Sequence, residues 1–117
     1  MDFQFKHFAT IRISVKDVGK SRDWYKKFFD LEPEEDHRDF VRFRVSGTCF
    51  DISFADEKSP ISAGGGVGYW LVDSLDAAIE KAIGQGGAVY RGPLKVSEDN
   101  RIVQIKDPYG NVFGLEE

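Results

Sequence analysis

The chain repeats itself, and this repeat constrains its fold more than any other feature of the sequence. The segment ISVKDVGKS at residues 13–21 and the segment WLVDSLDAA at residues 70–78 both lead from an apolar stretch through an aspartate into a helical pattern. The segments FDIS, starting at Phe50, and FGLE, starting at Phe113, close the two halves in the same way. This correspondence predicts an internal duplication, with each half forming the same unit.

Hydrophobic periodicity defines that unit. Residues 7–15 alternate between apolar and polar side chains, which predicts a half-buried strand. A helix is expected over about residues 17–30 with Asp17 as N-cap, and a second over about 74–84, capped by either Ser74 or Asp76. The remaining alternating segments read as three strands after each helix, so the predicted fold is α+β with two tandem βαβββ modules.

The length and composition limit the function classes. A chain of 117 residues suffices for one domain, with module one at about 1–56, a Gly/Ser/Pro-rich linker at about 57–66 and module two at about 67–117. The net charge of −4 argues against a nucleic-acid partner. No window is apolar and long enough to predict a membrane span, and the N-terminus does not resemble a signal peptide. The single Cys49 cannot form an internal disulfide, which suits the cytoplasm.

Several motifs suggest a known family. A V-x-D turn leads into S-x-x-W-Y at residues 21–25, a Gly-Gly pair follows the second helix, and DPYGN occupies residues 107–111. In this order and spacing they resemble the vicinal oxygen chelate superfamily, which includes glyoxalase I, extradiol dioxygenases, fosfomycin-resistance enzymes and bleomycin-resistance proteins. The resemblance implies mixed sheets curled into cups, a small organic ligand in the cavity, and a homodimer that completes it.

The resemblance also implies where a metal would bind. Metal-dependent members hold the ion with His, Gln or Glu side chains on the first and last strand of each module. The matching positions here are Thr10, Asp51, Val67 and Gly114, of which Asp51 alone is a good ligand. We therefore expect no metal and no other cofactor, and we interpret His7 and His37 as surface residues.

Strand parity then sorts the side chains between the helix side and the cup. The expected cup residues are Thr10, Arg12, Ser14, Asp51, Ser53, Val67, Tyr69, Leu71 and Gly114. The helix side of module one should include Ile11, Ile13, Val15, Phe50, Ile52 and Phe54. Arg12 and Asp51 form either a structural ion pair or contacts to a polar ligand. The inward face of residues 38–45 and 101–106 stays undecided, with Arg42, Arg44, Gln104 and Tyr109 as additional candidates.

The sequence favours a metal-independent small-molecule-binding protein similar to bleomycin-resistance proteins. Its aromatic residues suit an organic ligand, and its acidic balance would tolerate a cationic one. The alternative is a metal-dependent glyoxalase-like lyase or isomerase, or a dioxygenase-related enzyme, and a third possibility is a fold used for protein contacts only. The sequence does not identify the ligand or decide whether the protein is an enzyme.

Overall fold

The computed structural model describes residues 6–57, 61 and 67–117, and module one forms a four-stranded sheet with one helix. Its elements are β1 (Thr10–Val15), α1 (Val18–Phe29), β2 (Glu35–Asp36), β3 (Phe40–Val45) and β4 (Thr48–Phe54). The strand order is β1-β4-β3-β2, with β1 parallel to β4 and the other pairs antiparallel. The predicted βαβββ order is confirmed.

Module two repeats this arrangement. Its elements are β5 (Tyr69–Leu71), α2 (Leu75–Gly84), β6 (Ala88–Ser97), β7 (Asn100–Lys106) and β8 (Val112–Glu116). The strand order β5-β8-β7-β6 matches that of the first sheet, again with one parallel pair. The predicted linker at 57–66 lies mostly outside the described residues, so the exact module boundary stays a prediction.

Capping fixes where both helices begin. The Asp17 side chain accepts a hydrogen bond from the Lys20 amide at 2.9 Å, as expected for an N-cap. Ser74, the first of the two candidates, caps α2 by accepting from the Ala77 amide at 3.2 Å. Both helices therefore start at equivalent points of the repeat.

Aromatic side chains on α1 join the two modules into one core. Trp24, Tyr25 and Phe28 surround Phe113 of β8, with ring centroids 5.4–6.2 Å apart. Phe29 packs on Trp70 of β5 at 5.6 Å. Because the same helix covers one face of each sheet, the opposite faces point away from this shared core.

The sequence interpretation was wrong at two places. Phe54 was expected under α1, but it is 52% exposed, because it is the last residue of β4 and extends past the end of β3, whose first residue pairs with Ser53. The sequence predicts a strand over AVYRG, residues 88–92, yet β6 continues through Pro93 to Ser97. Proline is tolerated because β6 is the edge strand, where a missing N–H need not break the ladder. Within the described ranges, neither helix is both long and apolar enough to cross a bilayer.

Candidate ligand-binding site

The outward face of module one is built around a buried carboxylate. The strand register places Arg12, Asp51 and Arg42 side by side on β1, β4 and β3. Arg42 donates to both Asp51 oxygens, from Nε at 2.8 Å and from Nη2 at 2.9 Å, and Arg12 Nη2 donates at 3.2 Å. The two-point contact from Arg42 is the strong, planar form of the arginine–carboxylate pair. The register also places Phe40, Arg42 and Arg44 of β3 on this same outward face, which is the cup side that the sequence left undecided.

These contacts keep the Asp51 carboxylate ionised and inaccessible to solvent. Its side chain is fully buried, and hydrogen bonds from Arg42 are the main cause that keeps the Asp51 pKa below its ordinary value. Burial opposes this shift, and the Arg12 contact adds to it. Of the two alternatives for Arg12 and Asp51, the geometry shows the ion pair. Arg12 nevertheless remains 57% exposed, so its other N–H groups face solvent.

An aromatic ring supports both guanidinium groups. The carbon at the centre of each lies over the Phe40 ring, at 5.9 Å from the ring centroid for Arg12 and at 5.4 Å for Arg42. On the same face, Arg44 pairs with Glu34 at 2.8 Å. The polar residues Thr10, Ser14 and Ser53 share this face by register, with Thr10 exposed and the two serines half-buried. The arginines on this face of module one are thus already paired with carboxylates of the protein.

Gly114 in module two has a steric explanation. The register sets it between Tyr69 on β5 and Gln104 on β7. A Cβ at position 114 would overlap the Tyr69 ring, which lies across the glycine. From the sequence, a glycine at this position is expected to leave the floor of the cup open; this expectation is wrong, because the ring fills that space. Gly114 lets Tyr69 lie flat on the sheet, with the Tyr69 oxygen accepting a hydrogen bond from Gln104 Nε2 at 2.8 Å.

A cavity of about 280 Å³ lies above this pair, and it belongs to the outward face of module two. Its lining residues are Tyr69, Arg91, Leu94, Val96, Ile102, Val103 and Gln104. Leu94 and Ile102 are partners across β6 and β7, as are Arg91 and Gln104. The walls are thus apolar, with three polar side chains converging at one end.

A β-bulge brings Arg91 and Leu94 onto the same face. They are three residues apart on β6, whereas their partners Gln104 and Ile102 are two apart on β7. The extra residue is accommodated at Gly92, which has φ +94° and lies so close to Ile102 O that a side chain would be strained. Parity counting along β6 misses Arg91, because a bulge breaks the period of two.

The structure divides the predicted site residues into two groups. Arg12, Asp51 and their neighbours lie on module one, and Tyr69 and Gly114 lie on module two. Leu71 shares the second face by register but is 78% exposed, and Val67 is half-buried next to β5. In the part of the chain that the structure describes, no hydrogen bond or ion pair joins the two groups. Each therefore forms its own half-cup.

The residues at the four implied ligand positions do not fit a divalent metal. Asp51 is engaged by two arginines, and Gly114 lies beneath the Tyr69 ring. His7 and His37 are both exposed: His7 contacts the carbonyl of Phe8, and His37 lies 3.5 Å from Glu35. Among residues 6–57, 61 and 67–117, no three His, Cys, Asp or Glu side chains converge as metal ligands.

A second cavity, of about 520 Å³, lies on the helix side between α1, α2 and β5. Phe28, Phe29, Trp70, Val72 and Leu115 form most of its wall, and Lys81 lies at its edge. This cavity is larger but has few polar groups to orient a ligand, in contrast to the half-cup of module two.

Two βαβββ units around a shared core, each with one sheet face open to solvent, define a paired-module protein. The chain belongs to the Glyoxalase/Bleomycin resistance protein/Dioxygenase superfamily, whose family model matches residues 4–115. This confirms the resemblance seen in the motifs. A search of curated proteins found no significant match.

Solved structures show the same fold at low sequence identity. A glyoxalase/bleomycin resistance protein from Streptomyces sp. CB03234 is 24% identical with a TM-score of 0.75, covering 95% of this chain and 100% of that chain. A glyoxalase/bleomycin resistance protein/dioxygenase family enzyme from Burkholderia phytofirmans PsJN is 17% identical with a TM-score of 0.79, covering 92% and 95%. The genomically encoded fosfomycin resistance protein of Listeria monocytogenes is also 17% identical, with a TM-score of 0.78 and coverage of 97% and 93%.

Proposed function

We propose that this protein is a metal-independent, cytoplasmic small-molecule-binding protein that holds an organic ligand in its half-cups. The observation that carries the proposal is the module-two cavity, where Tyr69, Gln104 and Arg91 converge on an apolar wall. Binding sites for small molecules have this composition: mostly apolar, with a few placed polar groups. The ligand contacts we propose are Tyr69, Gln104 and Arg91 in module two, and Arg12 and Phe40 in module one.

Within the described ranges, no group of residues favours a metal-dependent lyase, isomerase or dioxygenase. It needs several nitrogen or oxygen donors that converge from different strands. At the four implied positions, the Asp51 carboxylate is the one strong donor, and removing it from Arg12 and Arg42 would leave two arginines beside a cation. The chemistry of these donors therefore favours an organic ligand over an ion.

A homodimer is part of the proposal because the half-cups open outward. All ten residues of β6 are exposed, including the apolar Val89, Tyr90, Leu94 and Val96. An exposed apolar edge strand of this length is normally covered by a partner. A second copy of the chain, meeting β6 and the adjacent half-cup, would cover it and enclose the cavity.

We expect sedimentation velocity at micromolar concentration to show a dimer. Val96→Asp should shift it toward monomer, since Val96 is 54% exposed on β6 and a charge would be buried at the contact. Ile83→Asp is the matched control: Ile83 is 52% exposed on α2, and the dimer should persist. A wild-type protein that sediments only as a monomer would refute this part of the proposal.

The ligand-binding proposal is tested with an uncharged aromatic probe, 4-phenylbutanamide. In amide NMR spectra of the labelled protein, we expect it to shift the resonances of Tyr69, Gln104 and Gly114. Tyr69→Ala should weaken binding, whereas Phe54→Ala, which removes an exposed ring from the other sheet, should not. Protein purified without chelator should contain well under one equivalent of Ni, Zn, Mn or Fe. About one such metal ion per chain would show that the metal-independent reading is wrong.

A further inference from the structure

We propose that the module-two cavity selects ligands that carry a carboxylate or a similar compact anion on an apolar body, with Arg91 as the anchor. This inference rests on the proposed function and names its ligand class. The overall charge of −4 would instead tolerate a cationic ligand. The local groups, not the net charge, decide what a cavity of this size binds.

The cations at this cavity have no carboxylate partner among the described residues. In the described part of the chain, neither Arg91, which lines the cavity, nor Lys106, on the same face of β7, forms an ion pair, although Lys106 lies over the Tyr90 ring at 5.7 Å. Glu116 shares the face, but its carboxylate accepts from Asn100 Nδ2 at 3.3 Å. By contrast, Arg12, Arg42 and Arg44 on the outward face of module one each have an acidic partner. Arg91 is thus available to pair with an incoming anion.

The hydrogen bonds at the polar end of the cavity leave donors free to bind an anion. The Tyr69 oxygen accepts from Gln104 Nε2, so the Tyr69 hydroxyl hydrogen is left to donate, and it forms no hydrogen bond to any described residue. Arg91 can only donate. Although β5 and β6 are opposite edges of the sheet, the Tyr69 hydroxyl reaches Gln104 on β7, which is the register partner of Arg91 on β6. Two donors therefore face the same end of the cavity and are suited to the two oxygens of a carboxylate.

The rest of the cavity wall is apolar and calls for an apolar part of the ligand. Leu94, Val96 and Ile102 form the remaining wall, and the volume of about 280 Å³ is at the lower end for small-molecule sites. An anion alone would leave these apolar side chains uncovered. A short aliphatic or aromatic chain that ends in a carboxylate satisfies both parts of the cavity.

The experiment compares three probes with one carbon skeleton: 4-phenylbutanoate, 4-phenylbutanamide and 4-phenylbutan-1-amine. Dissociation constants are measured at pH 7 from the amide shifts of Gln104 and Gly114. We expect the anion to bind about tenfold more tightly than the amide, since a charge-assisted hydrogen bond has this order of effect. The amine should bind most weakly.

Two charge variants make the test specific. Arg91→Gln should reduce the advantage of the anion over the amide to less than about twofold, while Arg91→Lys should retain part of it. Lys95→Gln is the matched control, because it removes a positive charge from the same strand. In the strand register Lys95 lies opposite Arg101 on β7, so its side chain is on the other face of the sheet. The anion should keep its advantage in Lys95→Gln. Preserved dispersion of the NMR spectrum checks that each variant is folded.

The outcomes separate this inference from the proposed function. Equal affinity for anion and amide, tighter binding of the amine, or an unchanged preference in Arg91→Gln would overturn the anion selectivity and leave small-molecule binding standing. If none of the three probes shifts Gln104 or Gly114, both the inference and the proposed site are wrong. A preference for the anion that Arg91→Gln abolishes and Lys95→Gln retains supports both.

Discussion

Replacing Asp107 with alanine is expected to lower the free energy of unfolding by about 3–4 kcal/mol, because it leaves three hydrogen-bond donors without their acceptor. Asp107 is almost fully buried. Its Oδ2 accepts from the Tyr25 hydroxyl at 2.6 Å, and its Oδ1 accepts from the amides of Tyr109 and Asn111 at 2.9 and 3.0 Å. Urea unfolding followed by tryptophan fluorescence measures the change.

The same contacts join the two modules. Tyr25 belongs to α1 of module one, and Asp107 precedes the turn that leads into β8. Beside them, Asn111 Nδ2 donates to the carbonyl of Ser14 on β1 at 3.0 Å. The loss of Asp107 should therefore loosen the contact between the modules as well as the turn itself.

Asp99→Ala is the control for this prediction. Asp99 lies in the exposed turn between β6 and β7, and its replacement should change the stability by less than about 0.5 kcal/mol. Tyr25→Phe removes only one of the three hydrogen bonds to Asp107, and it should lower the free energy of unfolding by about 1–2 kcal/mol. Burial, followed by the Asp107 charge, raises the pKa of Tyr25, so wild-type stability should fall as the pH rises above about 10, and less so in Tyr25→Phe. If Asp107→Ala is as stable as Asp99→Ala, the proposed role of the carboxylate is wrong.

The fold could be predicted because the duplication and the hydrophobic periodicity agree. Residues 10–15 and 18–29 follow the periods of a strand and a helix, and Asp17 occupies the N-cap position. The same pattern recurs from Tyr69 to Gly84. The length of β6 could not be predicted in the same way, because Gly92 and Pro93 normally interrupt strands and are tolerated here by the bulge and the sheet edge.

The site could be predicted only in part, for reasons specific to each residue. Parity placed Arg12, Asp51 and Tyr69 on the outward faces, since β1, β4 and β5 run without bulges. It did not find Arg91, whose face depends on the extra residue at Gly92. Nor did it show that Asp51 is shielded, because β3 had no assigned face and Arg42 could not be placed beside it. In both cases a tertiary contact decides the outcome.

Gly114 shows how the same residue can be misread. At the sequence level, its missing side chain indicated an absent metal ligand and an open floor. In the structure, the space is taken by the Tyr69 ring, which then presents its hydroxyl to the cavity next to Gln104. The glycine therefore positions a proposed ligand-binding group.

Replacing Asp51 with asparagine is expected to destabilise the protein by about 2–4 kcal/mol at pH 7. The substitution keeps the shape of the side chain but removes the charge that holds Arg12 and Arg42 together on the sheet. This loss of stability is at or below the range for breaking a fully buried ion pair, because both arginines can reach water. Chemical unfolding at a series of pH values measures it.

The pH dependence follows from the lowered pKa of Asp51, for which hydrogen bonds from Arg42 are the main cause. A depressed pKa in the folded state means that the stabilisation is complete above the ordinary aspartate value of 3.8 and is lost as the pH falls below it. The difference between wild type and Asp51→Asn should thus be largest above about pH 5 and shrink toward about pH 2.

Glu34→Gln provides the matched control in the same sheet. Glu34 also pairs with an arginine, Arg44, at 2.8 Å, but that pair is exposed, and solvent screens it. Its replacement should change the stability far less than Asp51→Asn does. A gap between wild type and Asp51→Asn that does not narrow on acidification would contradict the assignment of Asp51 as an ionised, buried partner of two arginines. If the two substitutions had equal effects, burial of the Asp51 carboxylate would not matter, and the arginines of this half-cup would need another explanation for their fixed position.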